Sequence, residues 1–324
     1  MNKPIIIGAV AIIAIIIGIS ASVILQNNDD PGELNTISEI PVTTESSKVK
    51  ITTTTNVITD LVENIGGDKV KVTGLMGPGV DPHLYRPSAS DVKKLQDADV
   101  VFYNGLDLEG KMGDIFVKIG REGTSVWAVS ENIPHESLLS LDDTSSFDPH
   151  IWWNANLWQE AAKVVAAGLS EYDPANSETY QKNLDEYISN LKELHIESLD
   201  KINSIPEEQR VLVTAHDAFQ YFGQTYGLEE MAIQGWSTSS EAGIREIQNL
   251  ADVITEREIK AVFIETSVSP ATIEALKAAV QDQGHDVVIG GSLFSDAIGE
   301  KGSEEGTYVG AFSHNVKIIV EALK

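Results

Sequence analysis

The stretch DPANSETYQKNLDEYISNLKELHIESLDKINSIP, residues 173–206, is the longest helical pattern in the chain. Asp173-Pro174 reads as an N-cap followed by proline in the first turn, and Ile205-Pro206 stops the run. Between them Leu184, Tyr187, Ile188, Leu191, Leu194, Leu199 and Ile202 fall mostly on one face of a helix. About 30 residues at 1.5 Å each give a rod of roughly 45 Å. The apolar repeat is too short for a coiled-coil seam, so the expectation is one stiff helix, 173–205, joining two domains.

On both sides of that helix, strand patterns alternate with helical ones. Before it, Val49-Thr54, Val70-Leu75 and Val100-Tyr103 read as strands, with helices at Asn56-Ile65 and Ser88-Gln96. After it, Arg210-Thr214, Ala261-Ile264 and Val287-Ile289 are short apolar strands. Helical patterns follow each of these three regions, at Asp217-Tyr226, Pro270-Gln281 and the C-terminus, with another at Ala242-Glu256. Strands separated by helices predict parallel α/β sheets. The expected architecture is two α/β lobes, 49–172 and 206–324, joined by the long helix.

The remainder of the chain is of a different kind. Pro4 to Leu25, PIIIGAVAIIAIIIGISASVIL, carries no charge and is long enough to cross a hydrocarbon core of roughly 30 Å. Lys3 precedes it, and Asp29, Asp30 and Glu33 follow, which directs the rest of the chain outward. An uncleaved anchor is the reading taken for 1–25, with a signal peptide cut near Ser20-Ala21-Ser22 as the alternative. Residues 26–48 are polar and contain few large apolar side chains, so they read as a flexible tether. The net charge of −26 makes nucleic acid an improbable partner. With no cysteine in the sequence, disulfides, thiolate metal sites and a lipid-modified cysteine are excluded.

The chemistry concentrates on histidine. Of seven histidines, two end the same tripeptide, Asp81-Pro82-His83 and Asp148-Pro149-His150. Asp-Pro favours an extended or turn backbone that presents an imidazole from a loop. The first copy lies beyond a strand and the turn Gly77-Pro78-Gly79, where ligands of open α/β sheets gather. His216 lies just past the strand Arg210-Thr214, and Asp296 follows Val287-Ile289 through Gly290-Gly291. Imidazoles at strand ends in both halves suit zinc and related metals. His195 in the long helix reads as a surface residue, and His285 and His314 as structural ones. His135 belongs to an acidic segment, 132–146, read as a loop near the cleft. Glu265 and Asp217 are candidates for orienting an imidazole, and Trp152 and Trp153 for excluding water.

The segments GVDPHLYRPSASD (79–91), FDPHIWW (147–153), AHDAFQYF (215–222) and GGSLFSDAIG (290–299) resemble those of TroA-like solute-binding proteins. These are the cluster A-I receptors of zinc, manganese and iron ABC importers. The resemblance spans about residues 49–324 and includes Gln234-Gly235-Trp236-Ser237-Thr238 and Glu305-Gly306-Thr307-Tyr308. It implies two lobes on a rigid helix with a metal site in the cleft between them. It further implies His83, His150, His216 and Asp296 as ligands of zinc or manganese, with iron also accommodated. Function follows as an extracytoplasmic, membrane-tethered monomer that is not an enzyme and that delivers metal to an ABC permease. The His-rich acidic loop of many zinc-selective members is largely missing, since HESLLSLDDTSSFD holds one histidine. The rival functions are a metal-dependent hydrolase and a surface adhesin with a structural metal. A hydrolase needs a coordination position open to water and a nearby general base, and neither H-E-x-x-H nor G-x-S-x-G occurs.

Overall fold

The computed structural model describes residues 48–141, 146–240 and 243–324. The apolar segment 4–25 and the tether to residue 47 lie outside the described residues. Among the described residues no helix is long and apolar enough to cross a membrane.

The first lobe is built on four parallel strands in the order β2-β1-β3-β4: β1 (Val49–Thr53), β2 (Val70–Gly74), β3 (Val100–Tyr103) and β4 (Ser125–Ala128). Its helices are α1 (Asn56–Gly66), α2 (Ala89–Gln96), α3 (Gly113–Arg121) and α4 (Ala155–Tyr172). α1 starts where Thr55 Oγ1 accepts the Ile58 N–H, and it buries Val57, Ile58, Leu61, Val62 and Ile65 at helical spacing. β4, α3 and α4 had no expected counterpart. β4 is an edge strand of four half-buried residues, too short and too mixed to stand out from its sequence.

The long helix, α5, runs Ser177–Ile202, which at 1.5 Å per residue is about 39 Å. Its start is shifted from the expected Asp173. Pro174–Asn176 forms a separate 3-10 turn, and the Asp173 carboxylate accepts from Asn176 Nδ2 and the Tyr180 hydroxyl, both at 2.7 Å. Tyr180, Leu184, Tyr187, Leu191, Leu194 and Ile202 are buried along one face, at the spacing the sequence predicts. His195 departs from its surface reading. It is part-buried, with Nδ1 3.1 Å from the hydroxyl of Tyr226.

The second lobe holds β5 (Val211–His216), α6 (Gln220–Tyr226), β6 (Glu229–Gln234), α7 (Ile244–Glu256), β7 (Ala261–Glu265), α8 (Ala271–Asp282), β8 (Val288–Leu293) and α9 (Tyr308–Leu323). Its strands pair in parallel as β5-β6 and β7-β8, with β5 and β7 side by side. β8 runs four residues past the expected Ile289 and continues through Gly290-Gly291, where its register against β7 shifts by one residue. A Cβ on Gly290 would sit 2.6 Å from Ala322 and 2.7 Å from Phe263, and one on Gly291 2.6 Å from Ile318. These glycines let α9 lie against the strand and do not mark a loop.

One hydrophobic core passes through both lobes. Trp153 packs on Phe219 and Phe312, with ring centroids 5.3 and 5.5 Å apart, and Phe222 joins Phe312 at 5.5 Å. Aromatic contacts of this kind add about 0.5–1.5 kcal/mol each beyond the area they bury. They tie the segment after β5, α6 and α9 to the turn before α4, where the functional side chains converge.

Candidate metal centre

His83 lies in the long loop between β2 and α2. The capping box of Ser88 and Asp91 fixes the far end of that loop, and Gly79, at φ 69°, makes the turn within it. In both Asp-Pro-His copies the aspartate folds back on the histidine's own backbone. Asp81 Oδ1 accepts the His83 N–H at 2.8 Å, and Asp148 Oδ1 accepts the His150 N–H at 2.9 Å. The repeated tripeptide is therefore a repeated turn in which aspartate fixes the angle at which imidazole leaves the chain. His216 is the last residue of β5, and Asp296 follows β8.

The four side chains meet. One ligand-type atom from each of His83, His150, His216 and Asp296 lies within 4.8 Å of all the others. His83 Nε2 is 3.3 Å from His150 Nε2. Asp296 places Oδ1 3.5 Å from His150 Nε2, and Oδ2 3.3 Å from His216 Nε2 and 4.0 Å from His83 Nε2. A tetrahedral shell with bonds of about 2.0–2.2 Å has ligand-to-ligand edges of roughly 3.3–3.6 Å. All four residues are buried, yet His216 Nε2 and both Asp296 oxygens have no hydrogen-bond partner. Burying three such atoms unpaired is costly unless a cation joins them.

The outward nitrogens are directed by carboxylates. His216 Nδ1 donates to Glu265 Oε2 at 2.5 Å, while Glu265 Oε1 accepts the N–H groups of Ala215 and His216 at 2.8 and 2.9 Å. His150 Nδ1 donates to Asp148 Oδ1 at 2.6 Å. Each bond holds a proton on Nδ1 and leaves Nε2 to face the cluster. Glu265 thus meets its expected role. Asp217 does not, because its carboxylate turns to Gln220 Nε2. The second orienting group is Asp148, which the sequence reading treated only as a turn former.

Burial opposes charge throughout the pocket, and the neighbours decide the outcome. Burial pushes the His83 imidazole down to about 3, although Asp296 works the other way. Burial also acts to lower His150, but Asp148 and Asp296 outweigh it and lift the group to about 9. His216 is raised well above the ordinary value, burial being overcome by Glu265 and Asp296. Burial acts to raise Asp296, yet the three imidazoles hold it well below the usual carboxylate range.

Both tryptophans grip the Asp296 loop. Trp152 and Trp153 donate their indole N–H groups to the same Ser295 carbonyl, at 2.9 and 3.0 Å. They are buried and cross-link the two lobes beside the cluster. Thr238 Oγ1 donates to Asp81 Oδ2 at 2.5 Å, joining the His83 loop to the loop after β6. The other histidines stand apart. His135 is exposed against Phe147, while His285 and His314 bond the carbonyls of Ile259 and Ser292.

Comparison with known proteins places the chain in a family. The chain is 50% identical over 277 residues to the manganese-binding lipoprotein MntA of Bacillus subtilis, covering 86% of this chain and 90% of that one. It is 47% identical over 276 residues to the zinc-binding protein TroA of Treponema pallidum, covering 85% and 89% respectively. The solved structure of periplasmic zinc-binding TroA superposes with a TM-score of 0.83, over 85% of this chain and 99% of that one. Residues 51–322 match the family described as zinc-uptake complex component A, periplasmic, and the chain belongs to that family.

Proposed function

We propose that this chain is an extracytoplasmic receptor that captures a divalent transition metal, zinc or manganese, and hands it to the permease of an ABC importer. His83, His150, His216 and Asp296 hold the ion, the first two from lobe 49–172 and the others from lobe 206–324, on either side of the helical link 173–205. The observation carrying this reading is the set of buried, partly unpartnered ligand atoms that lie within 4.8 Å of one another. All four donors come from one chain, so a monomer suffices. They fill a tetrahedral shell, which suits capture rather than hydrolysis. The ion is cargo, and the lobes must part to release it.

A nitrogen-rich shell favours zinc over manganese in vitro, whichever ion the cell delivers. Metal-free protein purified without a His tag is expected to take up one ion per chain. In competition with a chelator, zinc should bind more tightly than manganese. Absence of stoichiometric uptake of either ion would refute the receptor function.

Close relatives such as MntA are named lipoproteins, but these 324 residues contain no cysteine to carry a lipid. We assign the tethering role to the apolar segment 4–25. Protein expressed from the whole sequence should sediment with membranes, and proteolysis within residues 26–48 should release the folded part. Native protein found free outside the cell and beginning near Ser22 would identify a signal peptide instead.

A further inference from the structure

Tyr221 is fully buried on α6, five residues beyond His216. Its hydroxyl donates to the Asp148 carbonyl at 3.0 Å and accepts the Leu139 N–H at 3.1 Å. These two backbone groups belong to one short stem. Leu139 O accepts the Asp148 N–H at 2.9 Å, and Ser140 pairs with Phe147 in antiparallel fashion. A hydroxyl from the second lobe therefore closes the base of a first-lobe stem. At that base stands the carboxylate that receives both the backbone N–H and the Nδ1–H of His150.

We propose that Tyr221 is a positioning residue for the metal site. It sits on the helix that follows the His216 strand and pins the residue that aims His150. It thereby fixes the spacing between one ligand of each lobe, whose rings are 5.5 Å apart between centroids. Phenylalanine at 221 keeps the ring and its packing but strips the Leu139 N–H and the Asp148 carbonyl of a buried partner. The stem then shifts to find other partners, Asp148 shifts with it, and His150 Nε2 leaves its place in the shell.

Tyr226 provides a matched control. It is buried on the same helix, and its hydroxyl lies 3.1 Å from His195 Nδ1, away from the four-residue cluster. Cobalt(II) is the probe, because its visible absorption reports coordination geometry, alongside zinc affinity by chelator competition on the full-length chain. Tyr221→Phe is expected to change the cobalt band and to weaken zinc about tenfold or more. Tyr226→Phe is expected to lower the melting temperature of metal-free protein while leaving band and affinity unchanged. In a double-mutant cycle, Tyr221→Phe and Asp148→Ala should be strongly non-additive in zinc affinity, since both act through His150. An unaltered cobalt band and zinc affinity in Tyr221→Phe, or additive effects in the cycle, would overturn the proposal. The inference rests on the receptor function. Wild-type protein that binds neither ion refutes that function, whereas wild-type binding with an indifferent Tyr221→Phe refutes this inference alone.

Discussion

Adding zinc to the metal-free protein is expected to raise its melting temperature on the order of 10 °C, and any one of four substitutions should remove most of that rise. An ion that binds only the folded state contributes RT ln(1 + [L]/Kd), about 4 kcal/mol at a thousandfold excess over Kd. For a chain of this size each kcal/mol moves the midpoint by roughly 2–4 °C. His83→Ala, His150→Ala, His216→Ala and Asp296→Ala each take one corner from a shell whose four donors all lie within 4.8 Å. His195→Ala and His314→Ala should keep the shift, because those rings bond Tyr226 and Ser292 instead. The rise should also shrink as pH falls from 9 toward 6. His150 and His216 are raised in the metal-free pocket, so the ion must displace their protons, and this grows harder in acid. Calorimetric scans of apo and zinc-loaded variants check all of this. A shift that persists in the four ligand variants and vanishes in His195→Ala or His314→Ala would place the site elsewhere.

Glu265→Gln should weaken zinc binding by roughly 10- to 100-fold, more than the chemically similar Asp148→Asn. The reason lies in how each carboxylate uses its oxygens. Glu265 spends one on two backbone N–H groups and the other on His216 Nδ1. In glutamine the carbonyl oxygen stays with the backbone, and the amide N–H₂ then faces Nδ1. That forces the imidazole to accept there, moving its proton to Nε2 and blocking the metal. Asp148 uses a single oxygen for both His150 groups, and its Oδ2 has no hydrogen-bond partner. Asparagine can keep that oxygen in place, so the His150 tautomer survives. Isothermal titration of the two variants decides the matter, and equal losses would argue against tautomer control.

Much of this arrangement was legible in the sequence for identifiable reasons. The apolar stripe of α5 and the strand–helix alternation are periodic signals, and the structure follows them to within a few residues. His83, His150 and His216 stood out because they sit at a strand end or in a repeated tripeptide, while Asp296 joined them as a ligand through the resemblance to TroA-like proteins. What escaped notice depends on contacts between distant segments. Asp148 was visible as a turn former, but its bond to His150 Nδ1 depends on the ring's rotamer. Glu265 and Asp217 were equal candidates for orienting His216, and the sequence could not choose between them: successive residues at a strand end face opposite ways, and Glu265 arrives from the neighbouring strand 49 residues on. The passage of β8 through two glycines reflects α9 packing that a local pattern does not encode. Tyr221 lies within the segment AHDAFQYF, but nothing in that segment signals its bonding partner, since its hydroxyl reaches a segment 73 residues away.

The most direct test of the central claim is anomalous diffraction at the zinc edge from crystals of protein loaded with one equivalent of zinc. The account predicts one strong peak per chain, with His83, His150 and His216 nitrogens and an Asp296 oxygen at about 2.0–2.2 Å. A peak held by surface carboxylates, with these four side chains beyond bonding distance, would contradict it.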